Sequence, residues 1–478
     1  MKTNIRNRLT FFIIVALIAT VLIGVNRYSS RSRSLVILST NDIHSNIDNF
    51  ARLATAVKEC RDTVTTLLVD AGDRWTGNPY VDYAPGRQPI LDLMNSLGYD
   101  VATFGNHEFD VLNDNLNKAA KYATFPFICC NIQCDGTTLK QPIPYLNIER
   151  DGIEIFLSGI ITNYDNGHPE GYASIYEGMK FPEPMQCAHD IAVNAPKNSI
   201  KVLLSHIGDN NDYKLADKFN DYDIIVSGHT HNVVDTLVNG TVIGQTGSKL
   251  RKLGAYRISL KGNKVESITY SNIDLSGYSE DAQYRAMLDT IYASPELKQN
   301  IGTLQESLNK LGIWQFVCCT IRDDQKKEIG IYHRGGIRIT KLDKGDVTKA
   351  DIASIDPFMS YIYNAKMSVQ QLKSLVIKKY NSSRTSKESH RIDLVMSVPY
   401  TILVSSEDDA YDVIFPTLKG NRVYDVAISD YVANNYSQFE CIEKECSGRH
   451  VVEALYEPFK KGTPVYFQNK PLQQVKIK

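Results

Sequence analysis

Five short apolar runs in the first half of the chain each stop at residues able to bind a metal ion. LVILST (Leu35–Thr40) is followed by Asn41-Asp42-Ile43-His44, and TTLLVD (Thr65–Asp70) by Ala71-Gly72-Asp73. VATF (Val101–Phe104) leads into Gly105-Asn106-His107-Glu108. KVLLSH (Lys201–His206) ends in His206, and DIIVSG (Asp223–Gly228) leads into His229-Thr230-His231. Runs this short, β-branched or Leu-rich and cut off at Gly, Asp, Asn or His, predict buried strands. Helical patterns lie between several of them, among them Asn49–Cys60 and Ile90–Leu97. That alternation calls for a layered α/β domain. In open α/β sheets, sites form outside the carboxyl ends of the strands. Donors far apart in sequence are therefore expected to meet in space.

The donor types constrain the ion. Asp42, Asp73 and Asn106 offer oxygen, and His44, His206, His229 and His231 offer imidazole nitrogen. Seven donors exceed one tetrahedral zinc site. Two ions roughly 3.5–4 Å apart, sharing one carboxylate, use them all. Mixed nitrogen and oxygen ligation suits Zn, Mn, Co or Fe and disfavours a pure Ca or Mg site. Such a pair makes a bound water acidic and clamps both oxygens of an in-line displacement at phosphorus. Taken singly, an Asp after a strand is an ordinary turn or cap residue. The pattern is collective: of ten histidines, His44, His107, His206, His229 and His231 all fall in these strand-end motifs.

Composition narrows the partners. The formal net charge is −1, so no bulk field recruits a nucleic acid polymer. A local basic pocket for an anionic substrate fits that balance. Nine cysteines form no zinc-binding CxxC pair pattern. Cys129-Cys130 and Cys318-Cys319 lie in apolar runs and read as core, whereas Cys441 and Cys446 lie in a polar stretch suited to pairing in an oxidising compartment.

Leu9 to Val25 is an uncharged run of 17 residues preceded by Lys2, Arg6 and Arg8. As a helix it would be about 26 Å long, close to the ~30 Å hydrocarbon core. Residues 1–33 are read as a signal or, preferentially, an uncleaved membrane anchor. This predicts an extracytoplasmic protein, periplasmic or on the cell surface. Residues 34–275 form the metal-bearing domain, and TVIGQTG with LGAYRISLKGNKVESITY supplies hairpin material at its end. Residues 276–312 read as a helical linker broken near Ser294-Pro295, and 313–478 as a second, mixed body with the turn HRGGIR (His333–Arg338).

The motifs together resemble the calcineurin-like metallophosphoesterases. They are DxH at Asp42/His44, Gly72-Asp73, GNHEFD at Gly105–Asp110, His206, and GHTH at Gly228–His231. Their order is similar to that of the 5′-nucleotidase and UDP-sugar hydrolase branch. The resemblance implies an α/β protein with a four-layer α/β/β/α metallophosphoesterase domain and a smaller α+β C-terminal domain for substrate specificity. It implies two divalent metal ions, one held by Asp42, His44 and His231, the other by Asn106, His206 and His229, with Asp73 bridging. It also implies that His107, oriented by Asp110, stabilises charge on the phosphate, next to Asn106. The expected reaction is phosphate ester hydrolysis by a metal-activated water, with nucleoside 5′-monophosphates as leading substrates. UDP-sugars, 2′,3′-cyclic nucleotides or a non-nucleotide ester are the alternatives, and a non-catalytic metal-binding scaffold is the alternative of another class.

The second body resembles the family's specificity domain more faintly. Gly335, Gly336, Arg338 and Phe358 match, which implies substrate contact by Arg338 and base stacking by Phe358, with Tyr431 as the second stacking ring. It departs where the family's NGGGIR begins with His333-Arg334. It departs again where the segment after Tyr431 reads Asn435-Tyr436-Ser437-Gln438, and where Gly312–Val317 reads GIWQFV. The metal motifs are complete, and the pocket meant to choose the substrate is altered.

Overall fold

The computed structural model describes residues 32–110, 113–164, 167–171, 173–262, 264–383, 393–461, 465 and 467–477. The apolar Leu9–Val25 run and Asn263, within the hairpin stretch LGAYRISLKGNKVESITY, lie outside the described residues. Among those described, no helix is long and apolar enough to cross a membrane.

Two sheets face each other in the first body. The first has the order β11-β10-β1-β2-β3, with β1 Ser32–Thr40, β2 Thr65–Asp70, β3 Val101–Ala102, β10 Lys252–Lys261 and β11 Lys264–Asp274. β1, β2 and β3 run parallel, and β10 closes antiparallel onto β1. The second has the order β4-β5-β6-β7-β9-β8, with β4 Tyr145–Arg150, β5 Ile153–Ile161, β6 Ile200–His206, β7 Ile224–Ser227, β8 Val233–Val238 and β9 Thr241–Thr246. Successive side chains of a strand point to opposite faces, and the cores follow that rule. Leu35, Ile37, Leu67 and Val69 meet Val202, Leu204, Ile224 and Val226 between the sheets. Val36, Leu38 and Leu68 instead pack under the helices Phe50–Arg61 and Gln88–Leu97. Leu203 and Ile225 pack under Pro184–Ala192 and Asp209–Lys218. The strands are therefore buried on both faces, which is why they read as unbroken apolar runs. The result is the expected α/β/β/α stack.

Residues 276–312 depart from an all-helical linker. One helix forms, Ala282–Ile291, capped by Asp281. It belongs to the first body: Leu288 is buried in that core and Tyr284 stacks on Phe50 at 6.5 Å. Asn300–Leu304 and Leu308–Asn309 are strands, paired with Gly345–Thr348 and Lys341–Leu342 of the second body, and Lys310 already opens the helix Lys310–Asp324. Pairing with a partner strand satisfies the backbone better there than local helix propensity does. The actual connection is Tyr292–Gln299, between the helix and the first of these strands.

The second body is built on a five-stranded mixed sheet. Its order is Leu394–Met396, Ile329–His333, Val423–Ser429, Tyr361–Ser368, Lys444–His450. Helix Lys310–Asp324 contributes Ile313, Phe316, Val317 and Ile321 to one core, and Leu372, Leu375 and Val376 contribute to the other. All nine thiols are free, including the exposed Cys441 and Cys446.

Candidate active site

The donors sit at the ends of their strands or in the loops that follow: His206 is the last residue of β6, and Asn106 opens a 3-10 turn after β3. Asp42, His44, Asp73, His229 and His231 all have positive φ, between 49° and 82°. Side chains bearing Cβ adopt that region at a cost of order 1–3 kcal/mol, and such outliers gather where the structure needs a side chain aimed. Two glycines let the turns close on one another. A Cβ on Gly105 would lie 2.2 Å from Asp73 Oδ1, and one on Gly228 would lie 2.8 Å from His206 Nδ1.

The donors converge. Asp42, His44 and His231 place one ligand atom each within 4.8 Å of one another, as do Asp73, His206 and His229, and as do His44, Asp73 and His107. His44 Nε2 and His231 Nε2 approach to 2.8 Å, and His231 Nε2 lies 3.4 Å from Asp42 Oδ1. Asp73 Oδ2 faces both groups, 3.2 Å from His206 Nε2 and 3.8 Å from His44 Nε2. Asn106 Oδ1 lies 3.1 Å from His229 Nδ1. All but two of these seven residues are nearly sealed from solvent; His229 is half-buried and His231 exposed. His206 Nε2 is buried without a hydrogen-bond partner and aims at Asp73. An orphaned imidazole nitrogen, paired imidazole nitrogens and a carboxylate facing two groups suit cations that share Asp73.

Electrostatics follow from this crowding. Burial would raise Asp73, but His206, His107 and His44 together hold it well below the ordinary carboxylate range. Burial would lower His206, but Asp73 and Asp42 push it up to about 10. His44 is held well below the usual imidazole value by burial, which Asp73 only partly offsets.

His107 and Asp110 form the expected pair. His107 Nδ1 is 2.7 Å from Asp110 Oδ2, and the Thr76 hydroxyl donates to the same oxygen at 2.6 Å. His107 N–H donates to Asp73 Oδ1 at 2.9 Å, tying this loop to the shared carboxylate. Burial disfavours the charged ring, but Asp110 and Asp73 outweigh it and raise its basicity. From the second body, Arg338 Nη2 comes within 3.4 Å of His107 Nε2. Phe358 lies alongside, its ring centroid 5.9 Å from His107 and 5.4 Å from the Arg338 guanidinium carbon. Two cationic donors aimed at one point suit a phosphoryl oxygen between them.

Tyr431 sits in a different stack. Its ring lies against His333 at 4.2 Å, 23° from parallel. His333, whose buried Nδ1 has no partner, is kept neutral by burial, its pKa lowered to about 4. One face of the expected second stacking ring is thus taken by the protein itself.

Several further residues hold the donors in place. Glu108 gathers the N–H groups of Asp73, Arg74 and Gly105, at 2.8, 2.9 and 2.5 Å. Arg74 is completely buried between Asp70 and Glu108. Asn41 donates to Asp42 Oδ2, the Ala71 carbonyl fixes His206 Nδ1, and the Tyr164 hydroxyl lies 2.6 Å from His229 Nε2. Such outer partners set ligand orientation and tautomer. Glu108 lies inside the GNHEFD motif and was open to notice; Tyr164, in a loop without pattern, was not.

The comparisons agree with this geometry. Residues 35–233 match the family model described as calcineurin-like phosphoesterase, and residues 292–444 match that described as 5′-nucleotidase, C-terminal domain. The trifunctional nucleotide phosphoesterase protein YfkN of Bacillus subtilis is 25% identical over 89% of this chain and 33% of its own. This chain thus spans about a third of that relative's length. The 5′-nucleotidase of Rattus norvegicus is 24% identical over 92% of this chain and 90% of its own. The crystal structure of a 5′-nucleotidase precursor from Thermus thermophilus superposes with a TM-score of 0.79 at 17% identity, covering 92% of this chain and 99% of that one. With the fold, the strand-end donors and both matched segments in agreement, the chain belongs to the calcineurin-like phosphoesterases that carry a 5′-nucleotidase C-terminal domain.

Proposed function

We propose that this protein hydrolyses phosphate esters at the Asp73-centred cluster, with nucleoside 5′-monophosphates as the leading substrates. The observation that carries this is the convergence of three donor groups around Asp73 and His44, each within 4.8 Å. Asp42, His44 and His231 would hold one divalent ion and Asn106, His206 and His229 the other, with Asp73 shared. When bound, two such ions make a water nucleophilic and neutralise phosphoryl oxygens. The chain does the rest. Asp110 holds His107 Nδ1, so that Nε2 faces the substrate and donates to an oxygen that gains charge as the ester bond breaks. Arg338 supplies a second donor at the same point, and its planar fork favours bidentate contact with a phosphate. Phe358 offers an aromatic face beside them for a base. The bridging ester oxygen leaves with the nucleoside.

The apolar Leu9–Val25 run supports export, with residues 1–33 serving as leader or anchor. For the two domains, drawn at 34–275 and 313–478, packing supports shifted edges: helix Ala282–Ile291 sits on the first core and strand Asn300–Leu304 pairs into the second body. A test is to strip the protein with a chelator, then restore Mn, Co or Zn and follow phosphate release from AMP. Activity should vanish on stripping and return with about two ions bound per chain. Two bound ions with no release from AMP, ribose 5-phosphate or p-nitrophenyl phosphate would favour the scaffold alternative.

A further inference from the structure

Behind the His107–Asp110 pair, a buried cation is joined to a neutral hydroxyl. Arg87 Nη1 donates to Thr76 Oγ1 at 2.8 Å, and Thr76 Oγ1 donates to Asp110 Oδ2 at 2.6 Å. The same Asp110 oxygen lies 2.7 Å from His107 Nδ1. Arg87 and Thr76 are both buried. The members come from separate loops: Thr76 follows β2, Arg87 precedes helix Gln88–Leu97, and Asp110 closes the turn Asn106–Asp110. A buried guanidinium ordinarily pairs with a carboxylate. Asp82 is at hand, yet Arg87 Nη1 stops 3.9 Å from its Oδ1. Asp82 is already occupied. It accepts from the N–H groups of Thr76, Gly77 and Asn78 at 3.0, 2.7 and 2.8 Å, and from the Ser45 hydroxyl at 2.6 Å. The Arg87 proton therefore goes to the Thr76 oxygen.

Backbone strain marks the same two residues. Thr76 has a φ of 73° and Arg87 a φ of 50°, both in the left-handed region. A β-branched residue is an outlier there, and glycine or asparagine would take either position more cheaply. Strain of this kind persists where a particular side chain is needed. The donors also have one direction. A guanidinium can only donate, so the Thr76 hydroxyl, accepting from it, keeps its single proton for Asp110. That bond favours the charged carboxylate. Asp110 Oδ2 then accepts from His107 Nδ1 as well, which leaves Nε2 as the nitrogen facing the substrate point.

We infer that Arg87 and Thr76 are positioning residues for His107: acting through Asp110, they hold the ring proton on Nδ1 and aim Nε2 at the phosphoryl oxygen. The inference rests on the phosphoesterase reading above and adds two residues to its machinery. Arg87 carries the charge that orients the Thr76 hydroxyl, and Thr76 passes that orientation to the carboxylate.

The experiment measures kcat and KM for AMP in the full metal-loaded chain carrying Arg87→Gln, Thr76→Val or Thr76→Ser, each also combined with Asp110→Asn. Arg87→Gln and Thr76→Val should each lower kcat roughly tenfold, the low end of what losing an orienting partner costs. KM and the bound metal, by elemental analysis, should hold steady. Thr76→Ser keeps the hydroxyl and should recover most of the loss. Beside Asp110→Asn the first two substitutions should cost less than about twofold, because the residue they act through is gone. A packing role would lower kcat by the same factor in both backgrounds; that result, or an unchanged kcat in Arg87→Gln and Thr76→Val, overturns the inference. NMR of isotope-labelled imidazole nitrogens reads the tautomer without turnover, the His107 signals being identified by their loss in His107→Gln. Wild type should carry the proton on Nδ1, and Arg87→Gln and Thr76→Val should move part of it to Nε2. A wild-type ring protonated on Nε2 alone overturns the inference. No phosphate release from AMP or p-nitrophenyl phosphate by wild type would instead defeat the phosphoesterase reading, and the NMR result would still decide the role of Arg87 and Thr76. Circular dichroism checks the fold of each variant.

Discussion

The donor loops of the first body and the facing loops of the second obey different physical rules. In the first body every residue must direct a lone pair to one point. Five of the seven donors accept a positive φ to do so, and glycines such as Gly105 are fixed by contacts a Cβ could not survive. Ligation is directional and short-ranged, so few residue types serve. In the function proposed above, the second body recognises by charge and ring faces, which many residues supply. There His333 stacks on Tyr431, Arg334 covers Trp314, and Arg338 leans on Phe358. The chemistry is therefore pinned by geometry, while the choice of substrate is left open to change.

The largest effect that would break this contrast is at Asp73. Asp73→Ala should cut phosphate release by more than the roughly 10–100-fold that losing an orienting partner costs. It should also reduce bound metal, measured by elemental analysis, with an unchanged circular dichroism spectrum. Retained activity would mean that the donor loops tolerate exchange as the second body does. A smaller effect is expected at the rings. Phe358→Ala should raise KM for AMP about two- to tenfold, on the scale of aromatic stacking. KM for ribose 5-phosphate, which has no base to stack, should move less. Tyr431→Ala should matter less than Phe358→Ala, because His333 already occupies one face of that ring. An equal or larger shift at Tyr431 would put the base between the two.

The smallest expected effect concerns the frame behind those rings. Asp356 accepts from Phe358 N–H and the Ser360 hydroxyl, at 3.3 and 3.0 Å, and Asp430 accepts from Tyr361 N–H and Tyr431 N–H, at 2.9 and 2.7 Å. Burial, with Asp430 adding to it, raises Asp356 to about 7. A carboxyl raised on folding stabilises while protonated. That contribution is full below about pH 4, lost as pH climbs towards 7, and gone beyond. Asp356→Asn, neutral throughout, should therefore gain on wild type by a few degrees in melting temperature between pH 4.5 and pH 8. A difference that stays flat with pH would remove the raised carboxyl from the account.

Legibility in the sequence follows the same division. Doubly buried strands and the helices between them were readable because their period and their stops were both strong: Thr65–Asp70 matches residue for residue. The donors were readable because each follows such a stop. The strand Asn300–Leu304 was not, since its partner Gly345–Thr348 lies far along the chain and only the paired state makes it extended. Helix Ala282–Ile291 was read correctly as a helix and wrongly as part of a bridge, because its allegiance depends on Phe50 and the first core. Tyr164 and the stacking of His333 on Tyr431 are products of tertiary approach, with no local pattern to announce them.

The brief connection Tyr292–Gln299 has a consequence for how the two bodies work together. A tether of so few residues holds its two ends at a high effective concentration, in the millimolar range for short linkers. The second body never has to find the first by diffusion, and contacts as slight as those of Arg338 and Phe358 with His107 suffice to cover the site. Cutting the backbone there would turn a unimolecular closure into a bimolecular encounter, and turnover would then depend on how much protein is in the tube.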